Sequence, residues 1–259
     1  MKRLFTILLA FLGLSLTSNA QQLDSAKRVL LDEKLSEYVA AIETAGTDVQ
    51  KEECDFLIES TSDSLLKSHV AKTIYDHYSN SPVMGVEAVA IHVYDKWYKP
   101  GHVKMDSDAE LLGAKIFAEF NRMSQIGCFA PELQMEASDG SFVQLFQDGD
   151  KQNGFRILYF YDTDCSNCKI QSILLSNLLA TESFPIEFYA IYTGDNRDDW
   201  MKYISERFGT SNMSVRIVHL WDPAINSDFQ RKYGVVSTPR LLLVGPDGVI
   251  LGRGLDVKA

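Results

Sequence analysis

Residues 158–169, LYFYDTDCSNCK, decide how this chain is read. Their start belongs to an apolar run, residues 156–161 (RILYFY), with the length and composition of a short buried strand. Residues 168–179 that follow carry helical spacing. Between the two stands a C-x-x-C, Cys165-Ser166-Asn167-Cys168. Alone, such a tetrad is compatible with half a zinc site, a structural bridge or a redox-active pair. No second C-x-x-C and no H-x3-H pair is present to complete four zinc ligands, so no metal site is expected. At the opening of a helix the first Cys meets unpaired N–H groups and the positive end of the dipole, which favour its thiolate. The two-residue spacer lets the second sulfur attack a mixed disulfide formed on the first.

The pattern around this stretch alternates. Residues 133–137 and 141–146, joined by Ser138-Asp139-Gly140, read as a hairpin. Residues 186–192 (IEFYAIY) and 215–220 read as strands, residues 198–208 and 227–233 as helices. Residues 240–244 (RLLLV) and 249–252 flank the turn Gly245-Pro246-Asp247-Gly248. This predicts an α/β domain over residues 127–259, with a mixed central sheet, parallel neighbours inside and antiparallel hairpins outside. Ser237-Thr238-Pro239 precedes the strand at 240. A proline there either starts the strand or marks a cis bond in a tight turn.

Before Gly127 the period is helical. Residues 21–126 predict an all-α domain, with stops at Gly46, Asn80-Ser81-Pro82 and Lys99-Pro100-Gly101 and caps at Ser62 and Ser107. The stretch 84–98 is expected to be one helix. This region holds 18 acids and 11 bases and no catalytic cluster. Ahead of it, Lys2 and Arg3, the apolar residues 4–16 and the close Ser18-Asn19-Ala20 form the pattern of a cleaved export leader, residues 1–20. An apolar core of about 13 residues is short for a span that needs roughly 20.

The whole chain is 259 residues, 46% apolar and 23% charged, which excludes a disordered or collagen-like chain. Its formal charge of −10 excludes a basic nucleic-acid footprint. Four cysteines are too few for a disulfide framework. Cys54 and Cys128 read as idle thiols, or as a bridge between the two halves. The five histidines lack ligand spacing.

Ala130-Pro131-Glu132-Leu133, the hairpin, LYFYDTDCSNCK, YGVVSTP (residues 233–239) and GPDG together resemble the exported thioredoxin-like thiol–disulfide oxidoreductases, the AhpC/TSA-like and cytochrome c maturation-related group. The resemblance covers about half the chain. The helical half, especially MGVEAVAIHVYDKWY from Met84, resembles the region attached to such domains in some Gram-negative bacteria. The resemblance implies that Cys165 attacks and Cys168 resolves. It implies that Thr238 and Pro239 support the substrate backbone. No cofactor is implied; protein thiols or disulfides would be the substrates, a membrane protein the electron donor, and the periplasm the location. Peroxidase chemistry is disfavoured, because Thr163 is one residue too close to Cys165 for P-x-x-x-T-x-x-C.

Several positions depart from the family pattern. Asp164 replaces the usual Trp, and Ser166-Asn167 lacks the usual Pro. Tyr159 stands where thioredoxin has a buried acid. Asp162 and Asp164 are candidates for tuning Cys165, raising its pKa against the helix terminus; otherwise they form a solvated loop that caps the helix. The family's final helix has no counterpart, since only residues 253–259 follow the last strand. The open face is expected to be covered by the N-terminal helices or a partner subunit. These departures keep a second reading in view, a non-enzymatic binding module on a thioredoxin-like scaffold. Oligomeric state is not legible.

Overall fold

A computed structural model describes residues 25–147, 154–208 and 213–257, with side chains from 28 onward. The expected leader lies outside the described residues. The chain divides into two compact units, Met1–Ala45 and Gly46–Ala259. The packing boundary thus falls at Ala45/Gly46, whereas residue 127 marks the change of periodicity. The first unit contributes α1 (Ser25–Ile42), whose residues Leu31, Leu35, Val39 and Ile42 recur at helical spacing.

The second unit opens with α2 (Thr47–Glu59), α3 (Ser64–Ser79), α4 (Glu87–Val93) and α5 (Asp108–Asn121). They pack through Cys54, Leu57, Ile74, Tyr78, Val89 and Ala118, all buried. Asp63, not Ser62, caps α3, its carboxylate accepting from Leu66 N–H at 2.8 Å. The carboxylate is the stronger acceptor for an unpaired first-turn N–H. Ser107 caps α5 by the same geometry.

The stretch expected as one helix changes character. After Val93 it widens into a π-turn, Tyr94–Tyr98, with Lys99 N–H reaching Tyr94 O at 2.8 Å. Asp55 supplies the reason. Its carboxylate binds His92 Nε2 at 2.9 Å, Trp97 Nε1 at 2.8 Å and Lys96 Nζ at 2.8 Å. Positions five apart in an α-helix face about 140° away from each other. The wider turn brings His92 and Trp97 to one carboxylate. Burial pushes the Asp55 carboxyl up, but the bonds from Lys96, Trp97 and His92 outweigh it and hold it below the ordinary value.

From Leu133 the chain builds a seven-stranded sheet, β1 (Leu133–Ala137), β2 (Phe142–Leu145), β3 (Phe155–Tyr161), β4 (Ile186–Tyr192), β5 (Val215–Trp221), β6 (Arg240–Val244) and β7 (Ile250–Arg253), in the order β2-β1-β5-β4-β3-β6-β7. The β3–β4 and β4–β5 pairs are parallel; the others are antiparallel. Alternation along β3 divides the core. Leu158 and Phe160 join Tyr189, Leu220, Leu242, Phe229 and Tyr233 on the face covered by α8 (Phe229–Tyr233). Tyr159 and Tyr161 join Phe188, Trp200 and Leu175 on the face covered by α6 (Ser166–Thr181) and α7 (Arg197–Arg207).

Among the described residues β7 is the last element. Leu255 and Val257 turn onto the Tyr159 face, where Phe155 and Leu251 remain exposed. Of the two covers expected for this face, the N-terminal helices or a partner subunit, the helices after Gly46 do not lie on it among the described residues. They meet the sheet domain on the other side: α5 packs on α8, and Glu87 and Asn121 meet Arg253. The reason is a charge. Arg253 projects onto the Phe229 face opposite Leu242, and the carboxylate paired with it among the described residues, Glu87, comes from the helices.

Candidate functional site

The parallel pair β3–β4 delivers the chain to the C-terminal edge of the sheet, and residues 162–164 turn it into α6. Asp162 Oδ1 accepts from Asp164 N–H at 2.9 Å, closing that turn. The residue that caps α6 is Cys165. Its backbone is extended (φ −77°, ψ 113°) and its Sγ accepts from Cys168 N–H at 3.1 Å. The capping role considered for the aspartates therefore belongs to the sulfur: Asp162 is committed to its own loop, and Asp164 is exposed. A thiolate formed at Cys165 on reduction would sit on the first-turn N–H groups.

Cys165 and Cys168 are joined in a disulfide with Cα atoms 5.2 Å apart, within the ordinary range. The two sulfurs differ in access: Cys165 is half-buried, whereas Cys168 is 0% exposed. The loop before β6 approaches from the side. Cys165 Sγ lies 3.5 Å from the carbonyl oxygen of Thr238, and the Thr238–Pro239 peptide is cis. Thr238 and Pro239 are partly exposed, and Val236 and Ser237 beside them are open to solvent. The fold thus brings Cys165, Cys168, Thr238 and Pro239 together from positions 73 residues apart.

Beneath the pair lies a network of hydroxyls. Tyr159, fully buried, donates to Cys168 O at 2.9 Å and lies 3.2 Å from Ser172 Oγ. Ser172 Oγ is 2.8 Å from Tyr203 OH, and Tyr203 OH donates to Cys168 O at 3.3 Å. Burial pushes both phenols above their ordinary values, so they are protonated at neutral pH. They can donate hydrogen bonds but cannot act as bases toward Cys168. Ser172 and Tyr203 escaped the sequence reading. The legible signal was Ser172 itself, a hydroxyl one helical turn after Cys168 on the buried face of α6.

Cys54 and Cys128 are free thiols, the first fully buried and the second exposed. Burial pushes Cys54 up to about 12. Among the described residues no three His, Cys, Asp or Glu side chains cluster as a metal site would need. None of the described helices is long and apolar enough to cross a membrane.

Residues 153–250 match a family model described as thioredoxin-like. A thioredoxin-like protein from Bacteroides caccae superposes with a TM-score of 0.62 at 14% identity, over 88% of this chain and 80% of that one. That span exceeds the sheet domain, so the likeness of fold extends into the helices. The thioredoxin domain of a thiol-disulfide oxidoreductase from Bacteroides vulgatus aligns at 23% identity over 51% of this chain and 89% of that one, with a TM-score of 0.42. A thiol-disulfide oxidoreductase from Bacteroides fragilis aligns at 18% identity over 49% and 90%, also with a TM-score of 0.42. No curated protein sequence matches the chain. The sheet domain is thioredoxin-like, with a mixed sheet and helices ahead of it, as the sequence led one to expect.

Proposed function

We propose that this chain is a thiol–disulfide oxidoreductase that exchanges disulfides with protein substrates through Cys165 and Cys168, in the reducing direction. The observation that carries the reading is the asymmetry of the pair. One sulfur caps a helix and meets solvent beside the Thr238 carbonyl; the other is fully buried behind it. A substrate can reach only Cys165, so attack and resolution fall to different residues.

In the reduced protein, the Cys165 thiolate attacks one sulfur of a substrate disulfide. That S–S bond breaks, a mixed disulfide forms on Cys165, and the other substrate sulfur leaves as a thiolate that takes a proton from water. Cys168 gives its proton to water and attacks Cys165 Sγ. The mixed bond breaks, the Cys165–Cys168 bond forms, and the second substrate sulfur departs as a thiolate that also takes a proton from water. The substrate gains two electrons and two protons. A dithiol donor protein, membrane-bound in this reading, restores the reduced pair by the reverse exchange. Thr238 and Pro239 support the substrate chain at Cys165. The leader pattern of residues 1–20 supports export to the periplasm, where disulfides persist.

The test is the reduction potential of the pair, measured beside insulin reduction by the wild type and Cys165→Ser. An exchangeable pair between about −120 and −270 mV, with turnover abolished by the substitution, is expected. A potential of about −300 mV or lower without turnover would leave a structural bridge on a binding scaffold.

A further inference from the structure

The helices after Gly46 reach the sheet domain at the start of one loop, residues 235–239, which carries Thr238 and Pro239. At its start, Gly234 closes α8 with φ +64° and lies against the end of α5: a side chain there would meet Phe120 O at 2.7 Å. Beside it, Arg253 is buried and held by the helices. Its Nη2 donates to Asn121 Oδ1 at 2.6 Å and its Nη1 to Asn121 O at 3.2 Å. Glu87 Oε1 lies 3.0 Å from Nη1, an ion pair without hydrogen-bond alignment. The other Glu87 oxygen accepts from Gly85 N–H at 2.8 Å, which fixes the carboxylate. At the far end of the loop, Arg240 opens β6, paired across the sheet with Phe160 of β3. Gly254 lies under the Arg240 guanidinium: a Cβ there would be 3.2 Å from Nη1.

Two guanidiniums thus flank the loop, and the helical carboxylate of Glu87 pairs with that of Arg253. Within the loop, Val235 and Val236 bond back only to α8 and Gly234 through their N–H groups. Residue 240 is fixed by the β3–β6 ladder, so the position of the Thr238 carbonyl against Cys165 depends on where residue 234 is held.

We propose that Glu87 and Asn121, acting through Arg253 and Gly234, are positioning residues for the loop that presents Thr238 and Pro239 to the substrate. The helical segment thus sets the place of the loop without itself touching the substrate. The inference rests on the reading of Cys165 and Cys168 as an exchange pair. A protein substrate must lie along the loop, whereas a small disulfide needs only the sulfurs. A loop displaced by a fraction of an ångström should therefore penalise the first and spare the second.

The experiment compares the full chain with Asn121→Ala and Glu87→Gln, using two oxidants, insulin and oxidised glutathione. Both variants should raise KM for insulin, lowering kcat/KM by about tenfold. Both should reduce oxidised glutathione within about twofold of wild type. Near-UV circular dichroism checks the fold. Should Glu87→Gln fail to fold, Asn121→Ala, which keeps the Glu87–Arg253 pair, carries the comparison alone. Unchanged insulin kinetics, or equal losses with both oxidants, would overturn the proposal. A wild type inactive toward both would overturn the exchange reading and this proposal with it.

Discussion

Replacing Tyr159 by Phe separates structural support from proton transfer beneath the disulfide. The substitution deletes one buried hydroxyl and keeps the ring, which stacks on Tyr161 at 5.5 Å. Its two partners are not orphaned. Cys168 O keeps the Tyr203 hydroxyl at 3.3 Å, and Ser172 Oγ keeps it at 2.8 Å. The loss is that of one net hydrogen bond, about 1 kcal/mol. For a chain of this size that lowers Tm by about 2–4 °C. Tyr203→Phe should cost about the same, because the roles are symmetric. The double variant removes both donors from one carbonyl, so it should cost more than the sum, with a coupling on the order of 0.5–1 kcal/mol. Urea unfolding of the four proteins measures the cycle. Insulin reduction by Tyr159→Phe should stay within about twofold of wild type, since a phenol raised by burial is no base at neutral pH. Strict additivity would refute the shared-acceptor argument. A tenfold rate loss at unchanged stability would refute the claim that the phenol stays out of the proton path.

Two further outcomes follow from burial. Iodoacetamide at pH 8 should alkylate Cys128 in the native, oxidised protein and leave Cys54 unlabelled until denaturant is added; prompt labelling of both is the contrary result. Burial pushes His219 down to about 4 from its ordinary 6.5, so the unfolded chain binds its proton first. The stability His219 contributes is complete above about pH 6.5 and lost as pH falls toward 4, on the order of 1–3 kcal/mol. His219→Gln should flatten the fall of Tm between those values, and an unchanged slope would show that another group sets it.

Local signals carried most of the fold. The alternation in 156–161, 186–192 and 240–244, the Gly245-Pro246-Asp247-Gly248 turn and the Ser107 cap each act over a few residues, and each element lies within a residue or two of where its pattern puts it. The tetrad's place between strand and helix was legible for the same reason. What escaped depends on groups distant in sequence. The π-turn at Tyr94–Tyr98 answers to Asp55, about forty residues earlier. The contact of the helices with the sheet follows from Arg253, whose partners Glu87 and Asn121 lie more than 130 residues away. A buried guanidinium reads in sequence as one more surface cation, so the side of the sheet on which the helices pack was not legible. Ser172 and Tyr203 show the same limit, since neither has meaning until α6 and α7 lie side by side over Tyr159.

Whether Cys165 can be reached by another protein's disulfide is best asked by trapping. Cys168→Ser, reduced and mixed with insulin, should accumulate a mixed disulfide through Cys165, visible by mass spectrometry and released by dithiothreitol. Cys165→Ser, with only the buried sulfur left, should form none. Adducts on Cys168, or none on either variant, would contradict the account.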